Sequence, residues 1–131
     1  MIDEKQIDLV NYRIEQAREC LFSAEAVLEI SLKNAVNRSY YCIFHAMRAV
    51  LALDKFDSKK HSGIISNFRQ NYIKSNKFDA FFSDIIGNAF EIRNVSDYED
   101  FYVVSKSEVL QQIENAKLFL EAVENYIKNL R

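Results

Sequence analysis

The sequence predicts an all-α fold, an up-and-down bundle of four to five helices within one domain over residues 1–131. The chain has no proline and only two glycines, the residues that break helices and build tight turns. Long segments repeat apolar residues at alternating steps of three and four, which places them on one face of a helix. No segment carries a convincing strand pattern, so an all-β fold is not expected.

The first and last helices are the most regular. Within about Asp3–Ser31 the apolar positions follow one stripe, formed by Ile7, Val10, Ile14, Ala17, Leu21, Ala24 and Leu28. The same spacing runs through about Ser105–Leu130, where Ser105 and Glu108 have the spacing of a capping box. Both segments are therefore expected to be amphipathic walls of the bundle.

The second helix, about Asn34–Leu53, is apolar on nearly all sides and is expected at the centre of the bundle. Asp57 or Ser58 is expected to cap the helix that follows. The remaining predicted elements are, in chain order, a loop over Asp54–Ser58, a helix over about Lys59–Ser75, a helix over about Phe78–Tyr98 and a loop over Glu99–Val104.

Charge is unevenly distributed, although the formal net charge is only −2. Between Lys33 and Lys77 there are nine basic and two acidic residues, a net of +7, whereas the rest of the chain has eight basic and seventeen acidic residues, a net of −9. A basic segment within an acidic chain suggests an anionic ligand or an acidic partner. A solvated face neutralised by neighbouring acidic helices explains the pattern equally well.

Several functional classes are not expected. Cys20 and Cys42 form neither a zinc pattern nor a disulfide framework and are expected to be buried thiols in a reducing compartment. The acidic start, residues 1–8, lacks the apolar core of a signal peptide, and the most apolar run, Tyr40–Leu53, is too short for a membrane span. We therefore expect a cytoplasmic protein.

One polar stripe stands out on the second helix. Arg38, Tyr41, His45 and Arg48 follow steps of three, four and three, so they share one face of a helix that is otherwise apolar. An unpaired cation inside a bundle is costly, so the stripe must meet acids, line a cleft or face another subunit. It either pairs with acids of the first or last helix, or forms a basic, aromatic-flanked groove for phosphate or nucleic acid.

A second polar set, Arg93, Asn94, Asp97 and Tyr98, ends the fourth helix. Arg93 and Asp97 are four residues apart and can pair across one helical turn. From spacing alone, a salt-bridged helix end is the favoured interpretation.

A smaller feature is the basic helix start Lys59-Lys60-His61-Ser62-Gly63, where Lys59 and His61 are candidate anion ligands. A basic helix start without a ligand is at least as compatible with this pattern. The chain has no glycine-rich phosphate loop, and His45 and His61 lack the spacing of a metal-ligand pair. We therefore expect no cofactor and no metal.

Three segments carry a resemblance to a known family. The segment Asn37–Ala49, NRSYYCIFHAMRA, resembles the second helix of HEPN (higher eukaryotes and prokaryotes nucleotide-binding) domains. Lys60–Gly63 and Arg93–Tyr98 resemble the same group, specifically its short stand-alone prokaryotic members, so that the resemblance covers essentially the whole chain. It implies a four- or five-helix bundle that forms a homodimer. Many members look like metal-independent ribonucleases, often toxins encoded beside a small nucleotidyltransferase that acts as antitoxin.

The resemblance also implies where a site would lie. The family hallmark is an Arg, commonly followed by Asn, with a His four to six residues later, and two copies meet across the dimer. Arg93 and Asn94 match its start, but Tyr98 stands where a His is usual, and no His follows His61. An Arg can hold a phosphate in a bidentate fork and a His can move a proton near neutral pH, whereas a phenol with a pKa of about 10 is a poor general base.

Two further roles depend on how the helices face one another. His45 is the candidate for the missing imidazole if the second helix faces the end of the fourth. In the related toxins a Tyr near the motif can be the target of the partner nucleotidyltransferase, and Tyr98 and Tyr102 are the candidates here.

The leading hypothesis is a ribonuclease-like toxin of a toxin–antitoxin pair, and whether the chain is an enzyme stays open without the usual His. Its candidate catalytic residues are Arg93, Asn94, Tyr98 and His45. Its candidate phosphate-binding residues are Arg38, Tyr41, Arg48, Lys59 and His61. One alternative is a non-catalytic module that binds RNA, a nucleotide or a partner nucleotidyltransferase, and another is a structural domain whose basic stripe is only salt-bridged.

Overall fold

A computed structural model describes residues 2–130. Over that range the chain is all-helical and contains no strand, as predicted. The elements are α1 (Glu4–Val27), α2 (Leu32–Ala52), α3 (His61–Phe68), a π-helical segment here called the π-turn (Arg69–Ile73), α4 (Phe81–Tyr98) and α5 (Lys106–Asn129). None of the helices in the described range is both long and apolar enough to span a lipid bilayer.

The second helix is central, as its all-round apolar pattern predicted. α2 packs against α1, α3, α4 and α5. Its pairing with α1 is antiparallel: the Gln6 side chain of α1 donates to the carbonyl of Leu53 at the end of α2 (3.0 Å), and Arg13 donates to the carbonyl of Arg48 (3.0 Å). Gln6 thus occupies a carbonyl that the helix end leaves without an intrahelical partner.

The helices that flank α2 complete an up-and-down bundle. α4 is antiparallel to α2, because Asn37 contacts Asp97 while Tyr41, one turn further along α2, contacts Arg93. α5 is antiparallel to α1, along ion pairs that join Arg18 to Glu124, Glu25 to Lys117 and Glu29 to Lys106.

Of the caps predicted for α3 and α5, the structure contains only that of α5. The capping box of Ser105 and Glu108 is confirmed at the start of α5. The predicted cap of α3 is wrong: Lys60 is the N-cap, and no side chain caps the helix. Ser58 instead accepts a hydrogen bond from the Lys60 N–H (3.2 Å), and the Asp57 carboxylate is taken by two arginines.

Other boundaries differ from the predicted ones for local reasons. α1 ends at Val27, because Ser31 turns out to cap α2, where its hydroxyl accepts from the Asn34 N–H (3.2 Å). The predicted third helix is interrupted at Arg69 by the π-turn. α4 starts three residues later than predicted, since Asp79 Oδ1 accepts from the Phe81 N–H (2.8 Å) ahead of the helix.

Aromatic side chains fill the core where α3, α4 and α5 meet. Phe78 lies in the loop before α4 and is buried, with its ring 5.2 Å from that of Phe68. The ring of Phe119 on α5 lies 5.6 Å from Phe68 in an edge-on arrangement. Cys20 and Cys42 are buried and free, as predicted.

Replacing Phe119 with Ala should lower the free energy of unfolding by about 3–5 kcal/mol, because the fully buried ring leaves a cavity between three helices. Leu118→Ala is the matched control on the same helix, and its 39% exposed side chain should cost about 1 kcal/mol or less. Urea denaturation measures both. Equal losses in the two variants would contradict this description of the core.

Candidate functional site

A polar and aromatic cluster lies where α2, the start of α3 and the end of α4 meet. The antiparallel pairing of α2 and α4 brings the two sequence segments that carry the family resemblance face to face. This α2–α4 cluster consists of Asn37, Arg38, Tyr40, Tyr41, His61, Arg93, Asn94, Asp97 and Tyr98.

Arg93 is the centre of the cluster. Its Nη2 donates to the Tyr41 hydroxyl (3.1 Å), and its Nη1 donates to Asn94 Oδ1 (3.1 Å). Its Cζ lies 5.3 Å from the ring centres of Tyr40 and Tyr41 and 5.5 Å from that of Tyr98, distances typical of cation–π contacts. The side chain is only 12% exposed. A guanidinium has five N–H groups, so both terminal nitrogens keep donors for a ligand.

A relay of polar contacts joins Arg93 to Arg38. Asp97 Oδ2 lies 3.1 Å from Arg93 Nε, which confirms the predicted pair, although the contact is an ion pair by distance and the N–H is not aligned with the oxygen. Asn37 donates to Asp97 Oδ2 (3.0 Å) and accepts from Arg38 Nη2 (2.6 Å). The cluster therefore holds two guanidinium groups and one carboxylate, which contacts only Arg93 directly, and this leaves surplus positive charge.

His61 is the imidazole that borders this centre. Its Nδ1 lies 2.8 Å from the Tyr40 hydroxyl, and its ring stacks on Phe44 at 4.2 Å. Burial raises the pKa of Tyr40, so the phenol keeps its proton. A buried hydroxyl needs an acceptor, and within residues 2–130 that acceptor is His61 Nδ1. We therefore assign the neutral His61 tautomer with hydrogen on Nε2.

The pKa of His61 is lowered by burial and then by the charges of Arg93 and Arg48. The ring is thus neutral at pH 7, and its Nε2–H is a donor suited to a phosphate oxygen. The phosphate-binding role that the sequence suggests for His61 stays a prediction.

His45 lies on the other side of Tyr41, with the two ring centres 6.0 Å apart. Its Nδ1 is buried without a hydrogen-bond partner among the described residues. Burial, followed by the charges of Arg48, Arg38 and others, lowers the pKa of His45 to about 4. It is therefore His61, and not His45, that forms a hydrogen bond with Tyr40, whose ring packs on Arg93.

The Arg48 end of the basic stripe is only partly neutralised, because two arginines share one carboxylate. Arg48 grips the Asp57 carboxylate with two hydrogen bonds (3.2 and 2.9 Å), and Arg13 of α1 reaches the same group (3.3 Å). The hydrogen bonds from Arg48 lower the pKa of Asp57. The acid comes from the α2–α3 loop, so the expectation that the first or last helix would supply it is wrong for Arg48. Lys59 lies exposed in the same loop, ahead of His61.

Sequence reasoning missed two members of the cluster. Tyr40 resembled an apolar core residue, and nothing in the pattern showed that its hydroxyl meets His61. Asn37 lies one turn before Tyr41 on the stripe, so its helical register could have identified it. No group of three or more His, Cys, Asp or Glu side chains in the described part of the chain is arranged to hold a metal ion.

Comparison with known proteins decides the family. A model of the HEPN domain matches residues 10–126 of the chain. The chain belongs to the HEPN-domain family. This confirms the resemblance and the all-α fold that it implied, and the HEPN segments of α2 and α4 are those that meet in the cluster.

Several proteins similar to this chain match most of its length. A UPF0332 protein of Thermotoga maritima is 31% identical over 131 residues, 99% of this chain and 98% of the relative. Two proteins of Methanocaldococcus jannaschii, named "Putative toxin MJ0142" and "Putative toxin MJ0605", are each 29% identical, over 87% and 89% of this chain and 78% and 87% of their own lengths.

Acid should destabilise this HEPN domain in part through His45. The pKa of the ring is about 4 when folded and about 6.5 when unfolded, so the unfolded state binds more protons between these values. The contribution of neutral His45 to the free energy of unfolding is therefore complete above about pH 6.5 and is lost as the pH drops towards 4. The free energy of unfolding of His45→Gln should fall less than that of the wild type over this window, by about 2 kcal/mol. Urea denaturation from pH 7 to 4 checks this, and parallel curves would refute it.

Proposed function

We propose that this HEPN protein is a ribonuclease-like toxin that acts on RNA at the α2–α4 cluster. The observation that carries the proposal is the surplus positive charge at Arg93 and Arg38, held between tyrosine rings and next to His61. Planar guanidinium groups suit phosphate oxygens, and aromatic rings suit unstacked bases, so single-stranded RNA matches both features.

In the proposed reaction a ribose 2′-hydroxyl gives its proton to His45 while its oxygen forms a bond to the adjacent phosphorus, and the bond from that phosphorus to the 5′-oxygen breaks as the 5′-oxygen takes a proton from water. The free N–H groups of Arg93 bind the phosphate and stabilise the charge that develops on it. The Nε2–H of His61 donates a hydrogen bond to the same phosphate or to the leaving oxygen. The pKa of His45 is held down by burial and then by neighbouring arginines, so His45 becomes a stronger base when a bound phosphate offsets the arginine charge.

Tyr98 occupies the rim of this site and is 72% exposed. Its phenol is a poor base at neutral pH, so we assign it to stacking a base of the RNA or orienting a phosphate. The fully exposed Phe101 and the exposed Val103 lie just beyond it. These apolar side chains support a homodimer in which a second copy covers the same end of the bundle. The names of the two M. jannaschii relatives support the toxin assignment.

Replacing Arg93 with Ala should reduce cleavage of a fluorescent single-stranded RNA by about 100-fold or more, because a phosphate-stabilising donor is lost. Arg93→Lys should restore little activity, since Lys lacks the bidentate fork. Arg18→Ala removes an exposed guanidinium on α1 and is the matched control, expected to cleave like the wild type. Wild-type protein that leaves RNA intact, or an Arg93→Ala variant as active as the wild type, would overturn the ribonuclease proposal.

The second candidate function is a non-catalytic binding module that works with a nucleotidyltransferase, the antitoxin partner. The tyrosine at the position of the usual His favours it. Tyr98 is an exposed acceptor, whereas the Tyr102 hydroxyl donates to Glu108 (3.3 Å), and desolvation together with that carboxylate raises the pKa of Tyr102. If a nucleotidyl group is transferred to this chain, Tyr98 is the better acceptor.

Incubation with a nucleotidyltransferase encoded beside this chain and with ATP should therefore add a nucleotidyl group to Tyr98, as read by mass spectrometry of peptides. Tyr98→Phe should abolish the modification, and Tyr102→Phe should leave it in place. Modification that persists in Tyr98→Phe and disappears in Tyr102→Phe would reverse the assignment.

A further inference from the structure

A second basic pocket lies between α3, the π-turn and α4, next to the α2–α4 cluster. Its volume is about 370 Å³, within the range of ligand pockets, and none of the described residues that line it is acidic. The lining residues that matter here are Ser62, Ser66, Arg69, Lys74, Gly87 and Phe90.

Arg69 is an uncompensated cation in this pocket. Its Nη2 donates to the carbonyl of Ser83 (3.0 Å), and its Nε is buried without a hydrogen-bond partner. No carboxylate within the described residues forms an ion pair with it, unlike Arg13, Arg48 and Arg93. Burying part of a guanidinium without a counter-ion is costly, and an anion in the pocket would remove that cost.

Gly87 makes room for this guanidinium. It is one of only two glycines in the chain and lies in the interior of α4, where glycine is unfavourable. Its φ is not positive, so the backbone does not require glycine. A Cβ at this position would lie 3.0 Å from Arg69 Nη2, so the guanidinium would have to shift by a few tenths of an ångström.

The π-turn brings the second cation to the same place. The N–H of Lys74 donates to the carbonyl of Arg69, five residues earlier (3.0 Å). Lys74 therefore follows Arg69 on the helix surface, where a regular α-helix would place Ile73.

We propose that this pocket binds a phosphate of an RNA strand of which another phosphate lies at Arg93. The inference rests on the proposed RNA-directed function. Phe90 lines the pocket, its ring centre is 6.0 Å from that of Tyr40 in the cluster, and it precedes Arg93 by about one turn of α4. Ser62 directly follows His61. The pocket thus continues the first site along the groove between α3 and α4, with cations for a phosphate and a half-buried ring for a base.

The first test uses inorganic phosphate and does not depend on RNA. Nuclear magnetic resonance of the intact chain follows the Arg69 Nε–H signal during titration, and a saturable shift is expected. Arg69→Gln should abolish phosphate-induced shifts at neighbouring pocket amides such as that of Gly87. Gly87→Ala should weaken them several-fold, because it displaces the guanidinium while adding a good helix former. Lys128→Gln, an exposed lysine on α5, is the charge-matched control and should bind like the wild type.

The second test uses a single-stranded RNA of about ten nucleotides. Arg69→Gln should weaken binding about tenfold and lower the slope of log affinity against log salt by about 0.7, the loss of one phosphate contact. Gly87→Ala should also lower the RNA affinity and the salt slope, and Lys128→Gln should leave both at their wild-type values. Neither test reads cleavage, so an inactive site does not decide the outcome.

Three results would overturn the proposal. One is the absence of a phosphate-dependent shift at Arg69. Another is phosphate binding with RNA affinity unchanged in Arg69→Gln, which would make the pocket a site for free phosphate. The last is RNA affinity that depends on Arg93 alone, which would leave the proposed function standing and remove only this pocket from it.

Discussion

Other helices surround α2, so each charged side chain on it must find a partner or remain as a costly uncompensated charge. This constraint determines much of the arrangement around α2. Its cations meet the constraint in different ways. Arg48 and Arg13 share one carboxylate in the following loop, that of Asp57, so their charge is only partly compensated. Arg38 contacts the amide of Asn37, the ring of Tyr41 and the thiol of Cys20, and no carboxylate of the described residues forms an ion pair with it. His45 stays neutral because burial, and then the charges of the surrounding arginines, oppose its protonation. The stripe therefore keeps positive charge at both ends, and its Arg38 end adjoins Arg93.

The Arg38 end of the stripe lies beside the end of α4, so side chains of both helices form one cluster there. Arg93 arrives from α4 into a place already bordered by tyrosine rings, and Asp97 serves both this arginine and Asn37. The hydrogen bonds that Arg93 donates to Tyr41 and Asn94 fix the guanidinium before any ligand binds. A phosphate that binds here does not have to order the side chain, so less of its binding energy is lost to conformational entropy.

The sequence predicted what depends on local periodicity and missed what depends on contacts distant in the chain. The number of helices, the central place of α2 and the capping box at Ser105 follow from spacing within single segments. The choice of Asp57 as the partner of Arg13 depends on the path of the α2–α3 loop across 44 residues, which no pattern encodes. The hydroxyl of Tyr40 meets His61 only because α3 folds back on α2. The π-turn at Arg69 was missed likewise, because the apolar spacing across it still fits one continuous helix.

Two local departures from regular α-helix meet at one arginine. A glycine within α4 weakens that helix, a π-turn ends α3, and each affects the surroundings of Arg69. If the groove between α3 and α4 served packing alone, an alanine at position 87 and an unbroken helix would fill it better, without a half-buried guanidinium that lacks a counter-ion. Sequences break local rules in this way chiefly where function demands it. The α2–α4 cluster and the Arg69 pocket both lie along α4, so the RNA strand that we propose would contact Arg93 and Arg69 together.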